Sequence, residues 1–404
     1  MNTPKIRFSG YTEAWEQRKF NEVVEKYEDP VETPTEGYMR LGIRSHAKGT
    51  FHSYVEKGKE LETAKMFRVA ADKFIVNITF GWEHAVAITD EDDAGKLVSH
   101  RFPQYSFNKG MVPKFFRYLI LDECFKHHLE LSSPGGAGRN RVLKLSDMLE
   151  YKMTFPTEAE QNVIASYFDS LDKLITLHQR KCDQTKKLKK YMLQKMFPQN
   201  GELYPEIRFE GFTEAWEQRK LETVATFSKG NGYSKGDLIA SGTPIILYGR
   251  LYTKYETSIT EVDSFVDAKQ GSVYSKGGEV IIPASGETAE DIARASTVEN
   301  AGVLLGGDLN VVTPNEDIDS AFLALSISNG ESHKELAKKA QGKSVVHIHN
   351  AEIMALNIPF PSKVEQSRIS DYFFNLDHLI TLHQRKCDDL KEIKKYMLQN
   401  MFAM

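Results

Sequence analysis

Two stretches near the end of this 404-residue chain contain residue types that bind phosphates or metals. The segment 337–344 reads Ala-Lys-Lys-Ala-Gln-Gly-Lys-Ser, close to a phosphate-binding loop. However, Ala337 replaces the first glycine, and a predicted helix precedes the segment where a strand is required. His347 and His349 would lie on one face of a strand, with no cysteine or acidic pair at ligand spacing. We therefore expect neither a nucleotide site nor a metal site here.

Motifs for acyl transfer, hydride transfer and methyl transfer are also incomplete. Ser133 and Ser285 lie near glycines, but neither stands in the Gly-x-Ser-x-Gly arrangement that exposes a nucleophile. The chain has no Gly-x-Gly-x-x-Gly motif and no Asn-Pro-Pro-aromatic motif of the kind that amino-methyltransferases use. The sequence therefore predicts a protein that is not an enzyme, with no cofactor bound by this chain.

Basic and amide side chains that alternate with aromatic ones at predicted turns could bind DNA. Arginine reads base edges in the major groove, whereas lysine, serine and backbone amides hold phosphates. The bland alternative is that these are ordinary solvated loops, so the hypothesis depends on the whole group. The candidates are Arg40, Arg44, His46, Lys48, Trp82, His84, Arg101, Arg139 and Arg141 in one segment, and Lys229, Tyr233, Lys235, Arg250, Tyr252, Lys254, Ser285 and Lys343 in another.

The elements that must position these side chains occur twice. A 16-residue box at 4–19, Pro-Lys-Ile-Arg-Phe-Ser-Gly-Tyr-Thr-Glu-Ala-Trp-Glu-Gln-Arg-Lys, returns at 205–220 with few changes. A second block, 155–197, returns at 360–402 with 28 of 43 positions identical. The inserts between box and block do not align with each other. A shared frame with two different inserts is suited to reading two different things at a fixed separation.

The second repeated block predicts a long helix in each copy. Apolar positions alternate at spacings of four and three, from Ile164 to Met196 and from Ile369 to Met401, as in a coiled-coil seam. One such helix has nothing of its own to bury against, so the economical arrangement pairs the two copies. Tyr167, Leu174 and Leu188, with Tyr372, Leu379 and Ile393, widen the stripe beyond that seam and predict a subunit interface.

The inserts read as mixed α/β segments. Strands are predicted at 73–80, 84–89, 243–249 and 278–283, because these runs are rich in β-branched and aromatic residues. Helices are predicted at 112–131 and 321–340 from the spacing of their apolar residues.

Composition limits the class of protein. The net charge of −4 gives no global sign of a nucleic-acid partner, although residues 178–195 contain seven lysines and arginines against one aspartate. Three cysteines cannot form a disulfide framework, and no apolar run approaches 18 residues. We therefore expect a protein of the reducing cytoplasm with no membrane span.

Together the two repeated motifs resemble a known family. The box is followed, after each insert, by Phe-Pro-x-x-x-Glu-Gln-x-x-Ile (155–164 and 360–369) and by Leu-Ile-Thr-Leu-His-Gln-Arg-Lys (174–181 and 379–386). This pattern is similar to the specificity (S) subunit of Type I restriction–modification systems, and the similarity covers the whole chain.

The resemblance implies an α+β fold with an internal pseudo-two-fold repeat. Two globular α/β target-recognition domains would be joined by two long helices that pair as an antiparallel coiled coil. The expected divisions are residues 1–155 (box and first recognition domain), 156–200 (central helix), 201–360 (second box and recognition domain) and 361–404 (C-terminal helix).

The resemblance also implies partners. Each recognition domain would read one half of a bipartite double-stranded DNA target, and the helices would set the spacer between the halves. Two modification subunits would supply S-adenosylmethionine and the methyltransferase site, and restriction subunits would supply ATP- and magnesium-dependent translocation and cleavage. A two-headed coiled-coil scaffold that binds proteins remains the alternative, and a stand-alone nuclease or methyltransferase is disfavoured by the missing motifs.

Overall fold

The structure is a computed structural model of the chain, and it describes residues 3–61, 65–135, 141–340, 342 and 345–402. The chain forms two compact units: Met1–Leu177 with Lys386–Met404, and His178–Arg385. Each unit contains one box, one insert and segments of both long helices. The division therefore crosses the helices and differs from the four sequential divisions expected from the sequence.

The first unit is built on two larger sheets and one two-stranded ribbon. Their strand orders are β2-β10-β7-β8, β3-β6-β9-β4-β5 and β1-β11. The strands are β1 Glu16–Lys19, β2 Val24–Tyr27, β3 Pro30–Glu32, β4 Tyr38–Ile43, β5 Thr50–Val55, β6 Lys65–Arg68, β7 Lys73–Val76, β8 Val86–Ile88, β9 Leu97–Val98, β10 Gln104–Phe107 and β11 Lys152–Phe155.

Helices α1 Pro113–Leu119, α2 Glu123–Leu131, α3 Leu145–Leu149 and α4 Glu158–Lys195 complete this part of the chain. The single helix predicted at 112–131 is thus two helices. Asp122 causes the break, because its carboxylate accepts from the backbone N–H groups of Cys124 and Phe125 and caps α2.

The second unit has the same ribbon on a different insert. Its strand orders are β12-β23, β13-β21-β17-β19-β15, β16-β14-β20 and β18-β22. The strands are β12 Glu217–Lys220, β13 Ala225–Lys229, β14 Thr243–Ile246, β15 Ser258–Ile259, β16 Phe265–Val266, β17 Glu279–Pro283, β18 Ser285–Gly286, β19 Ser296–Val298, β20 Leu304–Leu305, β21 Leu309–Pro314, β22 Val346–His347 and β23 Asn357–Phe360.

Its helices are α5 Arg250–Thr253, α6 Ala289–Ile292, α7 Ser320–Ser328, α8 Gly330–Lys339, α9 Asn350–Met354 and α10 Lys363–Asn400, the last of which continues into the first unit. The helix predicted at 321–340 is broken at Asn329, whose backbone is extended and whose side-chain amide donates to the carbonyl of Leu325. The strands predicted at 73–80 and 243–249 stop early, at Val76 and Ile246.

The box of the first unit clamps both long helices. The guanidinium of Arg7 forms two hydrogen bonds of 2.7 Å with the buried carboxylate of Glu160, in the first turn of α4. The backbone N–H of Ile6 donates to the carbonyl of Asn400, at the last residue of α10. Trp15 is buried against Phe402. The box thus ties the start of one helix to the end of the other.

The box of the second unit makes the same contacts. Arg208 forms two 2.7 Å hydrogen bonds with Glu365, and the N–H of Ile207 donates to the carbonyl of Lys195. Trp216 is fully buried against Phe197. Both tryptophans are therefore packing anchors, at equivalent positions of the two boxes.

The glutamine of the repeated Glu-Gln pair fastens each helix to its insert. In the first unit the side-chain amide of Gln161 donates to the carbonyl of Pro156 and accepts from the N–H of Val112. In the second, Gln366 donates to Pro361 and accepts from Asp319 in the same way. The motif is therefore structural: its glutamate anchors the box and its glutamine anchors the insert.

The two long helices run antiparallel within each unit. In the first, Lys394 bonds to Asp172 while the thiol of Cys387 lies against the carbonyl of Ile175, so numbering rises on α4 as it falls on α10. In the second unit, Lys189 bonds to Asp377 at 2.6 Å. Positions of the predicted seam are buried, among them Ile164, Phe168, Leu171, Cys182, Met196, Ile369, Phe373, Leu376, Cys387, Leu390 and Met401.

Among the described residues, no helix is long and apolar enough to cross a lipid bilayer. The described residues also contain no group of three or more metal-ligating side chains placed to hold an ion.

Candidate nucleic-acid interface

A cleft in the first unit brings together two of the predicted DNA-binding residues, Arg40 and Arg101. This first cleft is a cavity of about 590 Å³ lined by β4, the turn after β7 and the loop before β10. Arg40 enters from β4, and Arg101 enters from the loop at 99–102. No described carboxylate lies within ion-pairing distance of either guanidinium, so both are available to an anionic or hydrogen-bonding ligand.

Aromatic side chains form part of the wall of the first cleft. Phe51 of β5 packs over Gly42 of β4, where an added Cβ would lie 2.3 Å from the ring. Phe51 and Phe80 are both partly exposed, at 40% and 37%. Asn77 lies beside them, and its Oδ1 accepts from the N–H of Thr79. The amide oxygen is thus occupied, and the amide N–H groups remain as donors.

The β4–β5 turn places three more candidates at the surface. Arg44, His46 and Lys48 are exposed on this turn. The guanidinium of Arg44 lies 5.4 Å from the ring of Phe51 and donates to the carbonyl of Thr50. The N–H of His46 donates to the carbonyl of Glu83 at 2.8 Å, which fastens the turn beside the first cleft.

Arg141 and Trp82 form a stacked pair in the first unit. The guanidinium carbon of Arg141 lies 5.7 Å from the centroid of the Trp82 ring. Both side chains are half-buried, and Arg141 Nε and Trp82 Nε1 have no hydrogen-bond partner among the described residues. Arg139 lies outside the described residues.

The assignment of His84 to DNA binding is wrong. Its side chain is buried, and its Nε2–H donates to the carbonyl oxygen of Ile120 at 2.8 Å. Burial lowers the pKa of the imidazole, which favours the neutral ring. The residue has a left-handed backbone (φ 59°), so it ends a turn and does not begin a strand. Its role is to join that turn to the core.

A second cleft lies in the insert of the second unit. It is a cavity of about 760 Å³ lined by Tyr233, Lys235, Tyr248, Lys254 and Asp263, together with other residues of the loops around β14. Lys235 is exposed, and no described carboxylate lies within ion-pairing distance of it. Tyr248 is 38% exposed. Lys254 and Asp263 are more exposed, at 50% and 61%, but they are bonded to each other.

Arg250 is not available to read a base, which contradicts the prediction from sequence. Its side chain is only 9% exposed. The two terminal nitrogens bond to Asp263 at 2.6 Å and to Glu256 at 2.8 Å, with a further bond to the carbonyl of Glu261. Arg250 Nε is buried without a partner among the described residues, but the bonds of the terminal nitrogens hold together the loops that flank the second cleft.

Other candidates of the second unit are also committed to internal bonds. The hydroxyl of Tyr252 donates to the carbonyl of Ser285, and burial raises the pKa of this tyrosine. The Ser285 hydroxyl lies 3.1 Å from Nδ1 of His347. Both hydroxyls are therefore engaged within the unit, but Tyr252 and Ser285 stay partly exposed, and their assignment stays a prediction.

The remaining candidates of the second unit are divided between internal bonds and solvent. Lys254 bonds to Asp263 at 2.9 Å but stays half exposed. Tyr233 lines the second cleft, with its hydroxyl 2.5 Å from Ser272 Oγ. Lys229 is exposed on β13, and Lys343 lies outside the described residues.

The sequence analysis did not single out Phe51, Asn77 and Phe80, which line the first cleft, or Tyr248, which lines the second. A signal for Asn77 was present, since Asn-Ile-Thr-Phe-Gly has the asparagine of a side-chain-stabilised turn directly after a buried strand. Nothing in the sequence marks Phe51 as exposed, because its exposure depends on packing against a glycine of the neighbouring strand.

The predicted subunit interface divides into two groups. Leu174, Leu188, Leu379 and Ile393 are 41–45% exposed, as an uncovered stripe requires. The two tyrosines differ, because each packs on its own box: Tyr167 on Phe8 at 5.7 Å, and Tyr372 on Phe209 at 6.0 Å. Both tyrosines stay partly exposed, and their assignment to the interface stays a prediction.

A family model described as the Type I restriction modification DNA specificity domain matches residues 13–187 and again 213–392. Each match spans one box, one insert and one long helix, and together they include most of the chain. The chain therefore belongs to this family of Type I restriction–modification specificity proteins. Its type is the specificity subunit, which is non-catalytic.

Individual relatives are distant. The MjaVIII Type I restriction enzyme specificity subunit of Methanocaldococcus jannaschii is 21% identical over 259 residues, 61% of this chain and 60% of that protein. The match thus spans less than two thirds of the relative's length. The crystal structure of a Type I S subunit from M. genitalium matches with a TM-score of 0.61 at 14% identity, over 100% of this chain and 99% of that one.

A further solved structure, an HsdS subunit from Thermoanaerobacter tengcongensis, has a TM-score of 0.47 at 16% identity, with 98% of both chains covered. The M. genitalium match shows that the fold is that of an S subunit. The family resemblance and the α+β fold with an internal repeat, both predicted from the sequence, are confirmed.

Proposed function

We propose that this chain reads a bipartite double-stranded DNA sequence, with each recognition domain contacting one half through its cleft. The observation that supports this is the contrast between frame and insert. The two boxes make equivalent contacts with the two helices, whereas the two clefts have different walls. Two domains that are held on the helices in the same way but have different clefts would read two different half-sites. The target would therefore be asymmetric.

The first cleft suits base reading better than phosphate binding. Arg40 and Arg101 provide planar, multi-donor guanidinium groups without a side-chain partner among the described residues, and Asn77 adds an amide donor. Arginine pairs with the two acceptors of guanine in the major groove. We therefore assign the first half of the target to this cleft, with at least one guanine read by an arginine.

We propose further that modification subunits dock on the exposed helix stripe. Leu174 and Leu379 are repeat-equivalent, as are Leu188 and Ile393, so the stripe offers two similar surfaces to two copies of one partner. Partly exposed leucines on a long helix are typical of an uncovered protein interface. These subunits would bind S-adenosylmethionine, and restriction subunits would bring ATP and magnesium.

The helices would set the spacing of the two half-sites. Helix α4 has 38 residues and is about 57 Å long at 1.5 Å per residue. Four residues inserted into α4 would lengthen it by about 6 Å and rotate the remainder of the helix by about 40° beyond a full turn. Under this proposal, the spacer lengthens or activity is lost.

Binding of DNA by the chain in complex with its modification subunits tests the proposal. We expect affinity for the methylated motif of the host genome to exceed affinity for a scrambled duplex by about 10³-fold or more, with a steep fall as salt rises. Equal affinity for both duplexes, with no salt dependence, would favour the protein-binding scaffold.

A further inference from the structure

The second half of α4 has a positively charged face. This face belongs neither to the seam with α10 nor to the exposed helix stripe on which modification subunits are proposed to dock. This basic face consists of Arg180, Lys186, Lys187 and Lys190, all exposed. At 100° per residue, Lys187 lies about 160° around the helix from Lys189, which points to the partner helix. By the same rule Arg180 lies about 180°, Lys190 about 100° and Lys186 about 60° from Lys189. The basic face therefore extends from the flank of the seam to the opposite side of the helix, and no apolar residue lies at its centre.

Of the other lysines on this helix, Lys173, Lys189 and Lys195 form ion pairs with described carboxylates, whereas Lys181, which lies outside the basic face, does not. Lys189 bonds to Asp377 in the seam, and Lys195 bonds to Glu206 of the box. No described carboxylate lies within ion-pairing distance of any cation of the basic face. Asp183, the one acidic residue among them, bonds to Gln179. Four cations against one aspartate leave this face with a charge of +3.

The repeat provides an internal comparison. On α10 the equivalent positions are Arg385, Lys391, Glu392 and Lys395, with Asp388 in place of Asp183. Lys391 lies 3.7 Å from Asp388. Three cations against two carboxylates give +1, so the equivalent face is nearly neutral. The two helices pair through their seams, and modification subunits are proposed to dock on the exposed helix stripe. Neither contact requires the additional positive charge on α4.

We infer that the basic face of α4 binds the phosphate backbone of DNA without reading bases. A dense row of lysines without apolar neighbours suits a polyanion, whereas protein interfaces are centred on aromatic and aliphatic anchors and deplete lysine. The inference rests on the proposed function, since it supposes that DNA lies on this molecule. It adds a contact outside both clefts, on one helix and not on its repeat.

Charge removal on each helix tests the inference in the complex with modification subunits. The variant Lys186→Gln/Lys187→Gln/Lys190→Gln removes three cations from α4, and Arg385→Gln/Lys391→Gln/Lys395→Gln removes three from equivalent or neighbouring positions of α10. For the α4 variant we expect the slope of log affinity against log salt to fall by about 2–3, at ~0.9 per lost phosphate contact. Cognate and scrambled DNA should weaken by the same factor, with the methylated motif unchanged.

The α10 variant is the matched control, and its slope should change by less than about one. A wild-type slope in the α4 variant would overturn the inference. Equal losses in the two variants would overturn it too, because they would indicate a general charge effect. Loss of modification subunits from the α4 variant would identify the face as a protein interface. If the wild-type complex fails to bind DNA at all, the proposed function is wrong before this inference is reached.

Discussion

The two recognition domains use arginine in opposite ways. In the first cleft, Arg40 and Arg101 have no carboxylate partner among the described residues and line a cavity with partly exposed aromatic rings. In the second, Arg250 is nearly buried and bonded to Asp263 and Glu256. Under the proposed function, the same residue type would read bases in one domain and serve as an internal tie in the other. The availability of the donor groups, and not residue type, would then identify the reading surface.

The comparison of the two clefts assumes that the two domains are attached to the long helices in the same way. The contacts of the two boxes with the helices provide that attachment. Arg7→Met would leave Glu160 buried without a partner, and Arg208→Met would do the same to Glu365. Removing one member of a buried ion pair costs about 3–5 kcal/mol. Hydrogen exchange should therefore show each substitution loosening its own unit: Arg7→Met near α1 and Arg208→Met near α7.

Protection that stays at the wild-type level in both variants would mean that the clamps do not hold the units. Loosening of both units by either substitution would mean that the domains are not mounted independently.

Removing Arg250 should affect stability and not base preference. Arg250→Ala deletes hydrogen bonds to two carboxylates and a carbonyl, each of which contributes about 1.5–3 kcal/mol when charged groups are involved. Because Asp263 and Glu256 are partly exposed and can rehydrate, we expect a net loss of about 2–3 kcal/mol. Thermal denaturation of the complex should register it, while the methylated motif stays the same. A changed base in the second half-site at wild-type stability would restore Arg250 as a reading residue.

Removing Arg40 or Arg101, the two arginines of the first cleft, should affect base preference and not stability. Arg40→Ala or Arg101→Ala should relax discrimination at one position of the first half-site by about 1–3 kcal/mol. Sequencing of methylated sites would detect it, and the melting temperature should stay within the error of the wild type. Arg68→Ala, at an exposed arginine of the same unit that lies 3.6 Å from Asp29, is the control. Wild-type specificity in both cleft variants would remove the first cleft from the interface.

Lys235 should give the smallest effect. It is exposed beside the second cleft and has no carboxylate partner among the described residues. A lysine that holds a phosphate contributes similarly to every sequence, so Lys235→Gln should weaken cognate and scrambled DNA equally and lower the salt slope by about one. The control is Lys269→Gln, since Lys269 already bonds to Asp237. A sequence-dependent loss would instead show that Lys235 reads a base.

The frame was predictable because its signals are local and occur twice. The seam from Ile164 to Met196 follows from apolar spacing alone, and the burial of Trp15 and Trp216 follows from their identical surroundings. The helix breaks at Asp122 and Asn329 were missed because one capping or amide hydrogen bond outweighs an apolar pattern that continues through it.

The candidate DNA-binding residues were predicted less well, because whether a side chain is free to contact a ligand depends on partners that are distant in sequence. Arg250 is bonded to Asp263, thirteen residues away, and His84 to the carbonyl of Ile120, thirty-six residues away. Composition at a turn cannot distinguish a free guanidinium from one that is already bonded. For the same reason, the sequence pattern does not show that Leu174 is exposed whereas Tyr167 packs on Phe8, since Phe8 is distant from Tyr167 in sequence.

Exchange of one insert tests the central claim most directly, namely that two unlike clefts on equivalent frames read separate halves of one target. Residues 221–360 would be replaced by the corresponding insert of a homologue of known target, and the methylated motif would be read from the host genome. We predict that the half assigned to the second cleft changes to that of the homologue, while the other half and the spacer stay as they were. A motif that changes in both halves, or in neither, would contradict independent reading by the two domains.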